Sequence, residues 1–137
     1  MRNQRGLTLI ELVIVLAVIA IIGAILIPNY LNTTDKARLK SDVQSARVLQ
    51  NALELYNAEQ SVKMPHTLIN DIIGELGDTG YIEAAQAVTL TDGAKWALAE
   101  GRIVVDISAC DANNPDIRSK IYNQLSQQER MYVKKDA

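Results

Sequence analysis

The sequence has only one cysteine, Cys110, and one histidine, His66, in 137 residues. A single cysteine excludes a disulfide within the chain, and we expect its thiol to be buried like a small apolar side chain. His66 has no second histidine or cysteine pair for a zinc site of ordinary composition. Nucleophilic catalysis would also depend on this one histidine, with nothing local to orient it. We therefore expect a protein that is not an enzyme and needs no cofactor.

The chain also has no excess of positive charge, since it contains 14 basic and 16 acidic residues. This balance gives no general case for nucleic-acid binding. Four polar residues late in the chain invite a calcium interpretation: Asp106, Asp111, Asn113 and Asp116. Their spacing does not match an EF-hand, because Pro115 replaces a ligand and the glycine is absent. Helix capping explains the same residues, so we expect no metal site.

The feature that dominates the chain is an apolar run from Leu7 to Ile27, in which Glu11 is the only charged residue. A helix of this length spans roughly the 30 Å hydrocarbon core of a bilayer. Only a helix satisfies its backbone groups within one segment in lipid, so we predict a membrane-spanning helix. Gly23 and Pro28 are its expected soft points, where the helix can kink.

Two features of this segment suggest its orientation and its function. Arg2 and Arg5 precede the run without an acidic residue, so the positive-inside rule places this end in the cytoplasm. Glu11 lies one turn inside the helix, where a carboxylate costs about 2.5–3.5 kcal/mol on insertion scales. A carboxylate that reaches back to the interface is the simpler explanation, and a functional role is the alternative.

The stretch Gly6-Leu7-Thr8-Leu9-Ile10-Glu11 resembles the start of type IV pilins and of the pseudopilins of type II secretion. The resemblance is close over residues 5–30, although the family usually has Phe where this chain has Leu7. It implies cleavage of a leader, residues 1–6, between Gly6 and Leu7 by a prepilin peptidase, and methylation of the new amino terminus. It also implies that Glu11 supports filament assembly, and the Leu7 amine of a neighbouring subunit could pair with its carboxylate.

The remainder of the chain is predicted to form a small head of α+β class. Residues 7–28 would form the membrane and filament-core half of a long helix, and residues 29–59 its amphipathic half. Arg38 and Asp42 lie one turn apart on this half, at the spacing of an ion pair. Residues 60–137 would pack on an apolar stripe that recurs at helical spacing: Leu39, Val43, Ala46, Leu49, Leu53 and Tyr56.

Within the head we expect a small antiparallel sheet and two short helices. The first helix runs from about Thr67 to Glu75, and Gly74, Gly77 and Gly80 are expected in turns. A hairpin at residues 94–108 turns at Gly101 and could be joined by a strand at residues 87–90. Its candidates for the face on the helix are Trp96, Leu98, Val104 and Ile107. Asn114 and Pro115 should start a C-terminal helix, marked by Ile117, Ile121 and Leu125, that ends near Glu129.

We therefore expect a structural subunit of an extracytoplasmic helical filament, polymerised through its N-terminal helix. Its expected partners are copies of itself, the prepilin peptidase and a membrane assembly machinery. It would first lie in the cytoplasmic membrane as a single-pass protein with its N-terminus inside, and then in a surface pilus or periplasmic pseudopilus. The alternatives are a pseudopilin of a type II secretion system and a binding domain tethered to the membrane.

Overall fold

A computed structural model describes residues 8–60, 64, 68–110 and 116–136, except for the side chains of residues 28, 29, 31 and 32. Its contacts divide the chain into two units, Met1–Thr34 and Asp35–Ala137. The helix α1, Leu9–Glu59, contributes to both units and is 51 residues long. The sequence-based expectation of one long N-terminal helix is therefore confirmed.

The second unit has its core along the predicted stripe of α1. Leu39, Val43, Ala46, Leu49 and Leu53 are buried, and Tyr56 is half-buried. The first three join a cluster with the C-terminal part of the chain, including Val105, Ile107, Cys110, Ile117 and Ile121. Leu49 and Leu53 join a second cluster with Ile72, Leu76, Ile82 and Ile103. The apolar period of the helix thus selects its buried face, and Cys110 is buried as predicted.

The second cluster is closed by helix α2, Ile69–Asp78. Ile72, Ile73 and Leu76 are buried because they recur at helical spacing on one face. The helix extends one turn beyond the predicted end at Glu75, so Gly74 and Gly77 lie inside it and not in turns. Gly80 is in the expected turn, with a φ of 80°.

The predicted hairpin is present as strands β1, Lys95–Ala99, and β2, Arg102–Asp106. They pair antiparallel, with Ala99 opposite Arg102. The loop consists of Glu100 and Gly101, whose φ angles are 52° and 75°. Two successive positive φ angles are the hallmark of a type I′ turn, which matches the twist of the strands. Gly101 supplies one of these conformations without steric cost.

The face of the hairpin that contacts α1 differs from the prediction at one position. Ile103, Val105 and Ile107 lie in the two clusters, together with Trp96 and Leu98. Val104 is buried but belongs to neither cluster. Because side chains alternate along a strand, Val104 points to the opposite face of the sheet from Ile103 and Val105.

The sheet is mixed rather than purely antiparallel. Its third strand is β3, Val133–Lys134, which pairs parallel with β2. The backbone N–H of Val105 donates to the Tyr132 carbonyl, and that of Ile107 donates to the Lys134 carbonyl, both at 2.9 Å. A strand of two residues shows no alternation in the sequence, so tertiary contact decides its pairing.

The strand expected at residues 87–90 does not form. Side chains take the hydrogen bonds that a strand partner would take. The indole Nε1–H of Trp96 donates to the Ala87 carbonyl at 2.9 Å. The backbone N–H groups of Leu90 and Thr91 donate to the Asp42 carboxylate. The segment is therefore held as a loop against α1.

The C-terminal helix is broken, in contrast to the single helix predicted. A π-helical turn, Ile117–Ile121, and a 3₁₀ turn, Tyr122–Gln124, are followed by extended backbone at Leu125. Helix α3 then begins afresh at Gln127 and ends at Arg130. Ser126 and Glu129 form a capping box at its start. This capping box favours a separate short helix over a continuation of the preceding helical turns. Ile117, Ile121 and Leu125 are buried as expected, whereas Asn114 and Pro115 lie outside the described residues.

Candidate functional site

The predicted assembly site lies at the start of α1. Gly6 and Leu7 lie outside the described residues, so their roles in cleavage and methylation stay predictions. Thr8 and Glu11 are described and form a reciprocal cap. The backbone N–H and the hydroxyl of Thr8 each donate to Glu11 Oε2 at 2.8 Å. The Glu11 N–H donates in return to the Thr8 hydroxyl oxygen at 3.3 Å.

This arrangement is a capping box, in which Thr8 caps the helix and Glu11 is its third residue. The sequence analysis missed it, although the spacing Thr-x-x-Glu before an apolar run is its signature. Both Thr8 donors bind Oε2. The other carboxylate oxygen, Oε1, accepts no hydrogen bond from the described residues. The cap therefore leaves one oxygen of Glu11 free to accept a second partner.

The segment after Glu11 exposes apolar side chains in every direction. Leu9–Ile27 is the described helical stretch that is long and apolar enough to cross a membrane, with a mean hydropathy of 3.2. Its large apolar side chains are between 49% and 80% exposed. No described residue buries this surface, and an apolar surface of this size is typically covered by lipid or by other chains.

The two predicted soft points lie within α1. A Cβ placed on Gly23 would have no neighbour within 4 Å, so no close approach requires glycine there. The backbone of Pro28 belongs to the continuous helix Leu9–Glu59. A kink at Pro28, where a proline removes one backbone donor, stays a prediction.

A second set of functional candidates lies on the head, where four cations stack on two tyrosine rings. The guanidinium carbons of Arg47 and Arg102 lie 5.2 and 5.5 Å from the centre of the Tyr132 ring. Arg130 and Lys135 both lie 5.4 Å from the centre of the Tyr122 ring. The sequence analysis did not single out these four cations, because they are far apart in the chain and meet only when it is folded.

Acidic residues lie at the end of α1 and on the neighbouring helix α2. The Tyr56 hydroxyl donates to Glu75 Oε1 at 3.2 Å, and the Tyr81 hydroxyl donates to the Glu59 carboxylate. The two rings meet edge to face, with centres 5.5 Å apart. Partial burial and the bond to Glu75 raise the pKa of Tyr56 above its ordinary value. The bond to Glu59, assisted by partial burial, raises the pKa of Tyr81.

Asp42 holds the loop of residues 89–94 on α1, and it is fully buried. Its two carboxylate oxygens accept the N–H groups of Leu90 at 2.7 Å and Thr91 at 2.8 Å. The ion pair expected between Arg38 and Asp42 is therefore absent, and Arg38 lies 3.8 Å from Asp35 instead. An amphipathic pattern does not reveal an acidic residue on the buried face.

Other carboxylates tie the C-terminal part of the chain together. Asp106 accepts from the Ser108 N–H at 2.9 Å and lies 3.3 Å from Lys134. Partial burial pushes the pKa of Asp106 up, but the Ser108 bonds and Lys134 together outweigh it, so the net pKa is below the ordinary value. The Ser126 cap and then Lys40, at 3.2 Å, lower the pKa of Glu129.

For metal binding, the described residues offer no group of three or more His, Cys, Asp or Glu side chains. Asp111 and Asn113, two members of the calcium interpretation, lie outside the described part of the chain. Asp106 and Asp116 are both engaged by lysines, Lys134 and Lys120.

Comparison with known proteins identifies the class of the N-terminal segment. Residues 1–27 match the model of the prokaryotic N-terminal methylation motif. The same region carries Gly6, Leu7, Glu11 and the exposed apolar helix. The chain is thus similar at its start to proteins that receive this modification.

Three relatives are similar to the chain over stretches of 37 to 69 residues. Over 62 residues the chain is 36% identical to type II secretion system core protein G of Vibrio cholerae, covering 45% of this chain and 42% of the relative. Over 69 residues it is 38% identical to prepilin peptidase-dependent protein A of Clostridium perfringens, covering 50% and 49%. Over 37 residues it is 60% identical to the type IV wide pilus major component PilA4 of Thermus thermophilus, covering 27% and 28%.

Over part of its length the chain is therefore similar to proteins of type IV pili and of type II secretion systems. The matched stretches span less than half the length of each of these relatives. No solved structure matches the chain.

Proposed function

We propose that the chain is a structural, non-enzymatic subunit of an extracytoplasmic helical filament. A prepilin peptidase would cut between Gly6 and Leu7, and the processed chain would polymerise through Leu9–Ile27. Before assembly it would lie in the cytoplasmic membrane as a single-pass protein. The observation that carries this proposal is the fully exposed apolar helix behind a methylation motif, joined to a head with its own core.

The physical argument concerns what can cover Leu9–Ile27. In the membrane, lipid covers it at no cost to the backbone, because a helix satisfies its own polar groups. Outside the membrane, only other apolar helices could do so, and a bundle of identical helices provides them. Head-to-tail packing of identical subunits that does not close produces a fibre.

Glu11 is proposed to bind the new amino terminus of a neighbouring subunit. An unpaired carboxylate in a low-dielectric surrounding is costly. The Thr8 cap satisfies Oε2, and Oε1 would accept from the Leu7 ammonium of the next subunit. The resulting pair would set the axial register between subunits.

The direct experiment is to purify the protein from cells that carry the assembly machinery and to determine its N-terminus by mass spectrometry. We expect methylated Leu7 in filaments that are visible by electron microscopy. An intact Met1 in a protein that stays in the membrane would contradict the proposal and favour a tethered binding domain.

A matched pair of variants separates the capping role of Glu11 from its assembly role. Thr8→Val keeps the shape of the side chain and removes the hydroxyl of the cap, whereas Glu11→Ala removes the carboxylate. Both should insert into the membrane. We expect filaments from Thr8→Val and few or none from Glu11→Ala. If the two variants reduce the filament yield equally, Glu11 acts only as a helix cap.

Two kinds of filament fit this proposal. PilA4 of Thermus thermophilus is a pilus component, and core protein G of Vibrio cholerae belongs to a type II secretion system. Deletion of the gene distinguishes them: loss of surface fibres indicates a pilus, and retention of secreted proteins in the periplasm indicates a pseudopilus.

A further inference from the structure

The head carries charges of opposite sign on different parts of its surface. Residues 48–94 contain one basic residue, Lys63, and seven acidic ones: Glu54, Glu59, Asp71, Glu75, Asp78, Glu83 and Asp92. The first six are exposed and lie at the end of α1, on α2 and just after it. We name these six the acidic pole. None of the six forms an ion pair within the described part of the chain, while Lys63 lies outside it.

The complementary surface is the set of cations stacked on Tyr122 and Tyr132, which we name the basic face: Arg47, Arg102, Arg130 and Lys135. Among the described residues, none of these four has a carboxylate within 4 Å. Their positive charges lie over aromatic rings instead, and Arg130 also donates to the backbone carbonyls of Asn123 and Leu125. An aromatic ring orients a cation but does not neutralise it, so the basic face keeps its capacity to bind carboxylates.

A hollow in the basic face gives it shape as well as charge. It has a volume of about 280 Å³ and is lined by Arg47, Gln128, Met131 and Tyr132. Met131 is 54% exposed there. On the acidic side, Leu55 and Leu68 are 51% and 63% exposed. An apolar side chain flanked by carboxylates is complementary to a hollow that is lined by Met131, Tyr132 and the cation of Arg47.

The two surfaces belong to different parts of the head. Tyr122 and Tyr132 pack against the cluster of Leu39, Val43 and Ala46, whereas α2 packs against Leu49 and Leu53. On α1 itself, Arg47 of the basic face and Glu54 of the acidic pole are seven residues apart, a rise of about 10 Å at 1.5 Å per residue, and no ion pair joins the two surfaces among the described residues. One head therefore does not neutralise its own charges, and a second copy of the chain can do so.

We propose that the basic face of one subunit docks on the acidic pole of the next copy in the filament. This inference rests on the proposed function, because it supplies a contact between heads to subunits already joined through α1. The two surfaces differ, so each subunit uses one for its neighbour above and the other for its neighbour below. Such a heterologous contact extends without closing, and electrostatic complementarity selects its register.

Charge reversal in the full-length chain tests the proposal. Arg102→Glu with Lys135→Glu reverses the basic face, and Asp71→Lys with Asp78→Lys reverses the acidic pole. Each double variant should reduce filament yield by about tenfold or more, because like charges then meet at the contact. The quadruple variant should recover much of the yield, since opposite charges meet again. Rescue is a result that simple misfolding of either double variant would not produce.

Lys95→Glu is the matched control, because Lys95 is exposed on β1, the sheet edge away from β3. It makes the same change of charge as either single substitution on the basic face, half that of the double variant, and should leave the yield within twofold of wild type. Normal yield in both double variants, with wild-type filaments present, would overturn the docking proposal alone. Reduced yield without recovery in the quadruple variant would also overturn it. A wild-type chain that forms no filaments in its own cells would overturn the proposed function, and this contact with it.

Discussion

The buried carboxylate of Asp42 offers the sharpest test of how the head is held together. Asp42 is fully buried on α1, and its two oxygens accept the N–H groups of Leu90 and Thr91. Asp42→Ala removes both acceptors and leaves two backbone donors without a partner. A hydrogen bond to a charged group contributes about 1.5–3 kcal/mol, and an unsatisfied buried donor costs about 1–3 kcal/mol. We expect the free energy of unfolding to fall by about 3–5 kcal/mol.

The measurement uses a head fragment that starts at Thr34, next to the boundary between the two units. Urea denaturation, followed by circular dichroism, gives the free energy of unfolding. For a domain of this size the expected loss lowers the Tm by roughly 10–20 °C or more. Asp42→Asn should fall between wild type and Asp42→Ala, because the amide keeps one acceptor oxygen.

Asp78→Ala is the control, because it removes an exposed carboxylate on α2. Its effect should stay within about 0.5 kcal/mol. An Asp42→Ala fragment as stable as wild type would refute the reasoning that this carboxylate holds the 89–94 loop on α1. A wild-type fragment that does not fold would show instead that the head depends on neighbouring subunits.

Further predictions concern the core, pH and processing. Leu53→Ala should cost about 2–5 kcal/mol in the same fragment, because Leu53 is buried in the second cluster; an unchanged urea midpoint would contradict this packing. The lowered pKa of Asp106 means that its ionised form stabilises the head above the ordinary pKa of an aspartate, and that this contribution disappears as the pH falls through the lowered value. Asp106→Asn should therefore cost about 1 kcal/mol at pH 7 and progressively less as the pH falls through the lowered pKa, and a loss that does not change with pH would exclude the charge as its cause. Gly6→Val should block cleavage, because the peptidase needs close backbone approach at the cut; filaments with a methylated N-terminus from this variant would contradict it. Reducing agent should leave the Tm unchanged, since Cys110 is the only cysteine.

Several elements that the sequence analysis placed wrongly have a common physical cause. The expected strand at residues 87–90 is a loop because Asp42 and Trp96 supply its hydrogen bonds from a distance in the sequence. Val104 was assigned to the wrong face because every residue from Ile103 to Val105 is apolar, so alternation gives no register. In both cases the deciding partner lies on another element.

Two capping boxes that the sequence analysis missed do have a recognisable sequence pattern. Thr8 and Glu11, like Ser126 and Glu129, are three residues apart in the order of a capping box. The first pair supplies an intrachain partner for Glu11, and the second explains why the C-terminal helix breaks before Gln127.

The sequence by itself determined the long N-terminal helix, its exposed apolar half, the stripe of its amphipathic half and the hairpin at Gly101. These features depend on local propensity and on apolar spacing along one segment, which a single chain displays directly. Tertiary structure alone decided the parallel β3 strand, the inward carboxylate of Asp42, and the separation of the basic face from the acidic pole. Each of these joins side chains from elements far apart in the chain, and their contact depends on how the elements pack rather than on any local pattern.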